Sequence, residues 1–182
     1  MDGISGIILA GGRSSRMGRD KAALPFGDGT LLSAQTKKLH ALGITDILIS
    51  GYADGMIPDD TPGCGPLGGL ATCLTRVKHP RAQVLSVDVP LVPTEVLREL
   101  IAAHTGGVTL LKHGERTEPL IAVYDAALGE TARQLLKEGK RAVFKLFDET
   151  TTRIHTVAED ERLFLKCNTP TAYAEALKQT RN

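Results

Sequence analysis

Short runs of aliphatic and β-branched residues alternate along the chain with stretches whose apolar positions recur about once per helical turn. Gly6-Ile7-Ile8-Leu9-Ala10 is followed by Leu31 to Leu42, Asp46-Ile47-Leu48-Ile49-Ser50, Pro66 to Val77 and Val84-Leu85-Ser86-Val87. The rhythm predicts strand, helix, strand. Nearly continuous apolar strands are buried on both faces, so the first half reads as a parallel sheet with helices on each side. In the first helix Leu31, Leu32, Gln35, Leu39 and Leu42 share a stripe, which leaves Lys37 and Lys38 toward water, and Gly43 supplies the stop. A third helix has Thr94 as its N-cap and Val96, Leu97, Leu100 and Ile101 as its stripe.

From Val108 the pattern changes. Val108 to Leu111 and Leu120 to Tyr124 flank Lys112-His113-Gly114-Glu115-Arg116, a hairpin-like connection that introduces one antiparallel strand. A helix over Ala126 to Lys137, an apolar piece at Val143 to Phe147, a strand near Ile154 and a helix from Pro170 complete the expectation. The class is α/β: a single-domain, three-layer, doubly wound fold with a mostly parallel sheet.

Length and composition agree with one domain. The 182 residues are 42% hydrophobic and 24% charged, enough to bury a sizeable core. Twenty-two Lys and Arg against twenty-one Asp and Glu leave +1, too balanced for a surface that tracks a nucleic-acid backbone. No apolar run approaches the roughly 18–20 residues of a membrane span, and Met1-Asp2-Gly3-Ile4 lacks a secretion-signal layout, so a cytoplasmic location without membrane partners is expected. Cys64, Cys73 and Cys167 make no Cys-x-x-Cys pair and read as small buried hydrophobes. The five histidines are scattered without metal-ligand spacing.

The densest chemical signal is Leu9-Ala10-Gly11-Gly12-Arg13-Ser14-Ser15-Arg16-Met17-Gly18-Arg19-Asp20-Lys21, which begins where the first strand ends. Open parallel sheets bind ligands at that end. Gly11 and Gly12 allow a sharp turn and bare N–H groups against an anion, while Arg13, Arg16, Arg19 and Lys21 place four cations within nine residues. A polyphosphate suits such a loop; a solvated basic loop is the alternative. No Gly-x-Gly-x-x-Gly follows, and Ala22 stands after Lys21 where a P-loop has Ser or Thr.

The order Leu9-Ala10-Gly11-Gly12, Arg16-Met17-Gly18, Asp20-Lys21 resembles the signature of nucleotidyltransferases, and is most similar to the molybdenum cofactor guanylyltransferase (MobA) family. The likeness continues through Gly65-Pro66-Leu67-Gly68-Gly69, Asp88-Val89-Pro90, Glu118-Pro119-Leu120-Ile121-Ala122 and Asn168-Thr169-Pro170. It implies one nucleotidyltransferase domain over residues 1–182 and a magnesium-dependent transfer of GMP from GTP to the terminal phosphate of molybdenum-bearing molybdopterin, with release of pyrophosphate. It leaves room for other proteins of molybdenum cofactor biosynthesis as partners. Position and charge neutralisation carry such a reaction, so no covalent nucleophile is required.

By this resemblance Leu9, Ala10, Gly11 and Gly12 contact the nucleotide, and Lys21 and Arg16 pair with its phosphates as catalytic groups. Asp88 would hold the magnesium ion, for which one carboxylate with phosphate oxygens and water suffices. Asp60, beside Asp59, matches an acidic residue that accepts hydrogen bonds from guanine, and a polar turn is its alternative. Gly65 and Gly68 would let a base approach, while Pro66 equally opens a helix. Ser50 takes a nucleotide-binding position where guanylyltransferases can carry an Asn that helps hold the nucleotide, and Lys166 stands where a second Asn often precedes Asn168. Asn168 would bind the metal or the pterin side, and Arg116, with Arg141, the pterin phosphate; Asn168 can equally stabilise the turn into the last helix. A cytidylyltransferase of the same cofactor, a sugar-1-phosphate nucleotidyltransferase and a carrier of nucleotide or pterin without chemistry are the competing functions.

Overall fold

Parallel pairing of three short strands fixes the half of the molecule that matters most. In the computed structural model, which describes residues 3–11 and 21–180, β1 (Ser5–Leu9) lies between β4 (Ile47–Ser50) and β5 (Arg81–Ser86), with Ile7 opposite Leu48 and Val84. The sheet continues through β7 (Arg116–Asp125), β6 (Val108–His113) and β8 (Thr152–Val157), in the order β4-β1-β5-β7-β6-β8. β7 runs antiparallel to both β5 and β6, and β8 is parallel to β6. One reversed strand thus interrupts an otherwise parallel sheet, as the hairpin pattern after Val108 predicts.

Successive residues of each strand feed opposite cores. Ile8, Leu85, Ile121 and Val123 face one cluster with Leu31, Leu39, Val96, Leu97 and Leu100, which come from α1 (Leu31–Ala41) and α3 (Thr94–Ala103); α6 (Pro170–Gln179) adds Ala176. Ile7, Val84, Ala122 and Tyr124 face a second cluster built on α2 (Gly65–Leu74), α4 (Leu128–Lys137) and α5 (Phe144–Phe147). Fully burying each such Leu or Ile side chain contributes about 1.5–3 kcal/mol. Cys64, Cys73 and Cys167 are buried and unbridged, and burial pushes the Cys73 thiol up to about 12. None of the helices described is long and apolar enough to cross a membrane.

Local signals set the helix ends. Thr30 Oγ1 accepts from the Ser33 N–H at 3.1 Å while Ser33 Oγ accepts from the Thr30 N–H at 2.8 Å, a reciprocal cap that starts α1. Gly43, at φ 77°, stops it. Thr169 caps α6, its side chain accepting from the Ala172 N–H at 3.1 Å. At α3 the expectation needs correcting: Pro93 is the N-cap and Thr94 is already helical, because proline has fixed the extended residue before the first turn. A small hairpin of β2 (Pro25–Phe26) and β3 (Gly29–Thr30), absent from the periodicity reading, precedes α1. Its two-residue strands are too short to show an alternation.

Candidate active site

β1, β4 and β5 run parallel, so their carboxyl ends lie on one side of the sheet, the side on which doubly wound folds bind their ligands. The first of those ends is tied to its neighbours: the Ala10 N–H donates to the Ser50 carbonyl at 2.9 Å, and the Val87 N–H donates to the Leu9 carbonyl at 3.1 Å. Leu9 and Ala10 therefore spend much of their main-chain capacity on the sheet. Gly11 follows at the surface; a Cβ there would lie 3.7 Å from Gly51 Cα, an ordinary contact. Gly12 and Arg16, and with them Arg13 and Arg19, lie outside the described residues.

Lys21 begins a short 3-10 turn, Lys21–Ala23, and its side chain reaches two separate loops, one after β5 and one before α6. Its ammonium donates to Asn168 Oδ1 at 2.5 Å and lies 3.9 Å from Asp88 Oδ2. Both charged groups of that pair are about four-fifths covered, at 18% and 19% side-chain exposure, so their attraction is only partly screened. Asp88 sits just beyond β5, and its carbonyl accepts from the Cys167 N–H at 2.8 Å. Lys21, Asp88 and Asn168, which the sequence singles out from three distant motifs, are thereby brought to one place. Among the described residues the Asp88 carboxylate has only the loose Lys21 pair, leaving oxygen lone pairs for a further cationic partner.

A second carboxylate lies on the β7 side. Glu118, 3% exposed, receives Lys166 Nζ at 2.6 Å and lies 3.3 Å from His113 Nε2. His113 stacks on Phe164 with ring centroids 4.1 Å apart. These contacts tie the segment that carries Asn168 to the β6–β7 hairpin. They give Lys166 a definite partner, a buried carboxylate whose charge is compensated by the ammonium. Arg116 is an exposed residue of the same hairpin, and Arg141 is exposed between α4 and α5; neither is drawn into the Lys21, Asp88 and Asn168 group by an ion pair or hydrogen bond.

On the β4 side the two neighbouring aspartates part ways. Asp59 Oδ1 accepts from the Ser50 hydroxyl at 3.1 Å, and burial raises its carboxyl above the ordinary range, against the opposing hydrogen bonds of Ser50 and Tyr52. Asp60 instead accepts from Arg76 at 2.7 Å and Arg133 at 3.0 Å, and these guanidinium groups, Arg76 foremost, hold its carboxyl below the ordinary range. The Asp60 N–H donates to Thr72 Oγ1 at 2.9 Å, which anchors the turn to α2. Asp60, the residue singled out for guanine, is thus engaged by arginines next to α2 and α4, and Asp59 is the one joined to the β4 strand end.

The glycines of the second motif have two distinct jobs. Gly65 adopts φ 61°, which L side chains rarely tolerate, so the turn into α2 needs glycine whatever lies in the crevice. Gly68 and Gly69 permit close packing: an added Cβ would lie 3.0 Å from Asp59 Oδ2 and 2.5 Å from Ser50 Oγ respectively. The space beside Gly68 is therefore taken by Asp59 rather than left open to a base. Pro66 does open α2 at its first turn.

Two residues of α1 complete the setting. Gln35, 0% exposed, donates both amide protons, to the Ser86 carbonyl at 2.8 Å and the Val89 carbonyl at 3.0 Å. Lys38 donates to Gln35 Oε1 at 3.2 Å and to the Pro90 carbonyl. The helical stripe of α1 predicts Gln35 among apolar neighbours and Lys38 in water; Lys38 instead turns inward because the chain beyond β5 offers it a carbonyl. The discoverable signal was a glutamine at a core position, where an amide persists only if its hydrogen bonds are met.

Comparison with known proteins matches this geometry to a family. Residues 6–155 match the model of the MobA-like NTP transferase domain. A molybdenum cofactor guanylyltransferase of Xanthomonas euvesicatoria pv. vesicatoria is 32% identical, over 96% of this chain and 95% of its own. Among solved structures, molybdopterin-guanine dinucleotide biosynthesis protein A from Archaeoglobus fulgidus superposes with a TM-score of 0.78 at 20% identity, covering 97% of this chain and 98% of that one. A Mycobacterium tuberculosis protein solved as a complex with manganese superposes with a TM-score of 0.69 at 20% identity, covering 97% and 98%. With the family model spanning most of the chain and a relative above 30% identity along nearly all of it, the chain belongs to the MobA-like NTP transferase family, a family of nucleotidyltransferases.

Proposed function

We propose that this protein transfers GMP from GTP to the terminal phosphate of molybdenum-bearing molybdopterin. A phosphate oxygen of the acceptor forms a bond to the α-phosphorus of GTP. The bond from that phosphorus to the oxygen bridging to the β-phosphorus breaks, and pyrophosphate leaves with the electron pair. The observation that carries this reading is the meeting of Lys21, Asp88 and Asn168 at the strand ends of a nucleotidyltransferase fold.

In this reading Lys21 pairs with the phosphates, and Gly11 with the following Gly12 and Arg16 takes the rest of the triphosphate. Asp88, with Asn168 Oδ1 in reach of the same lysine, offers the hard oxygen donors that magnesium selects. Its carboxylate, part-buried and short of hydrogen-bond donors among the described residues, fits a divalent cation. Such a cation, when bound, neutralises phosphate charge and makes the α-phosphorus more electrophilic. Water is displaced from the acceptor as the two substrates fill the crevice, and alignment of attacking oxygen, phosphorus and leaving oxygen supplies most of the acceleration.

Base recognition falls to Asp59. A carboxylate accepts the two N–H donors that guanine presents on one edge and cytosine does not, and Asp59 is held beside the crevice by Ser50 where Asp60 is held away by Arg76 and Arg133. The pterin side falls to Asn168 and Arg116, on the C-terminal segment and the β6–β7 hairpin.

Pyrophosphate release from GTP, CTP, ATP and UTP, each with magnesium and molybdenum-loaded molybdopterin, tests the reading. Turnover with GTP is expected; turnover with CTP in its place would make the protein a cytidylyltransferase, and dependence on a sugar-1-phosphate acceptor would make it a different transferase.

A further inference from the structure

The residues on either side of Asp88 are gripped from below by a single helix face. Gln35 and Lys38 lie three positions apart on α1, so both side chains project from the same side of the helix. Between them they donate to three carbonyls, Ser86, Val89 and Pro90, which bracket Asp88. The bonds form one connected set, because Gln35 Oε1 also accepts from Lys38. Gln35 is fully buried and has both donors and its acceptor satisfied inside this set.

The geometry points to Gln35 and Lys38 as positioning residues for the nucleotidyl transfer, acting through the Ser86 to Pro90 backbone to fix where the Asp88 carboxylate stands. This rests on the reading of Asp88 as the residue that holds the divalent cation. The physical argument is one of direction. A carboxylate on a loop defines a cation position only as well as the loop's own peptide planes are fixed. A five-residue segment with three of its carbonyls bonded to one helix has little freedom left to rotate. Above the segment, the Cys167 N–H fixes the fourth carbonyl, that of Asp88 itself, from the side that carries Asn168. Supporting residues of this kind typically change metal affinity or activity by about 10–100-fold when removed. Gln35 and Lys38 bond to each other and to the Ser86, Val89 and Pro90 carbonyls and are not among the residues assigned to the nucleotide, so GTP affinity without metal should be spared.

The test titrates Mn2+ into the protein with GTP and no acceptor while following water-proton relaxation, measures GTP binding separately without metal, and takes kcat from turnover with molybdenum-loaded molybdopterin present. Four variants are compared with wild type: Asp88→Asn, Gln35→Met, Lys38→Met and Lys38→Arg. Asp88→Asn should lose the bound Mn2+ signal. Gln35→Met and Lys38→Met should weaken Mn2+ binding by about tenfold or more and lower kcat by a similar factor, while metal-free GTP binding changes by less than about twofold. Lys38→Arg keeps donors for Gln35 and Pro90 but adds a fixed charge where burial lowers the lysine pKa, so it should recover only part of the loss. Lys38 is only half-buried, so its methionine variant keeps the question answerable if Gln35→Met does not fold. An unchanged Mn2+ affinity and kcat in both methionine variants, with Asp88→Asn defective, would overturn the positioning role and leave Asp88 in place. Mn2+ and GTP binding falling together, in proportion to the folded fraction, would make the pair merely structural. Unchanged Mn2+ binding in Asp88→Asn would instead remove the reading of Asp88 on which the inference stands.

Discussion

Lys21 and Asn168, 147 positions apart in the chain, meet through a hydrogen bond of 2.5 Å. The bond closes the crevice between the segment after β1 and the segment before α6, with Asp88 3.9 Å from the same ammonium. A lysine shared between an amide and a carboxylate in this way can turn to a triphosphate without being newly desolvated. Lys21→Ala should therefore weaken GTP binding and lower kcat by about 10²-fold, the scale of losing one aimed cationic donor. Asn168→Ala should lower kcat with a smaller effect on GTP. Calorimetric GTP titration beside steady-state rates separates the two, and equal mild losses in both variants would count against the assigned roles.

The divergence of Asp59 and Asp60 makes a selectivity experiment decisive. Asp59→Asn replaces one acceptor oxygen by a donor beside Ser50 and should reduce the preference for GTP over CTP by about tenfold or more, the worth of a paired base contact. Asp60→Asn loosens exposed ion pairs to Arg76 and Arg133, whose contribution to stability is about 0–1 kcal/mol, and should leave nucleotide preference nearly unchanged. The reverse ranking in kcat/KM ratios would return the base-reading role to Asp60.

Two glycines beside Ser50 respond differently to a side chain. At Gly69 an alanine Cβ would sit 2.5 Å from Ser50 Oγ and 3.0 Å from Leu9 Cδ2. Ser50 would have to leave Asp59, and a stability loss of about 1–3 kcal/mol is expected by urea unfolding. At Gly11 the nearest atom to an added Cβ is at 3.7 Å, so Gly11→Val should keep the folded stability while abolishing nucleotide binding. Normal GTP binding by folded Gly11→Val would place the phosphate cradle elsewhere.

Lys38 carries a pH signature. Burial lowers its pKa from 10.5 to about 7, and among the described residues no carboxylate forms an ion pair with it. Between about pH 7 and 10.5 the unfolded chain holds the Lys38 proton and the folded chain does not, so unfolding takes up a proton and this group makes stability rise with pH. Below pH 7 both states are protonated and its cost is fully present; above 10.5 the cost is gone. The neutral amine retains two N–H donors, enough for Gln35 and Pro90. Urea unfolding at a series of pH values should show that Lys38→Met removes this slope relative to wild type. Parallel curves for the two proteins would mean that the ammonium is solvated.

Much of this was legible in the sequence. The alternation of apolar runs with helical stripes gave the layers and the reversed strand, because burial on two faces leaves a pattern that side-chain periodicity exposes. The motifs that hold Lys21, Asp88 and Asn168 were found in order along the chain, although nothing in one dimension says that they touch. What stayed hidden are choices between chemically equal neighbours. Asp59 and Asp60 differ only in which partners the fold supplies, and those partners, Arg76 and Arg133, come from elements at least 16 residues away. Lys38 read as a solvent residue since a carbonyl at Pro90 has no sequence signature. Glu118 was visible as part of a motif, but its burial between His113 and Lys166 depends on a stack with Phe164 that only the tertiary structure creates.

The reaction proposed is guanylyl transfer at a site centred on Asp88. Protein incubated with magnesium, molybdenum-loaded molybdopterin and GTP labelled at the α-phosphorus should move the label into a dinucleotide product with one pyrophosphate released per label transferred, and Asp88→Asn should bind GTP yet slow that transfer by about 10³-fold. Label that stays in GTP with wild-type protein, or that moves as fast with Asp88→Asn as without the change, would contradict the account.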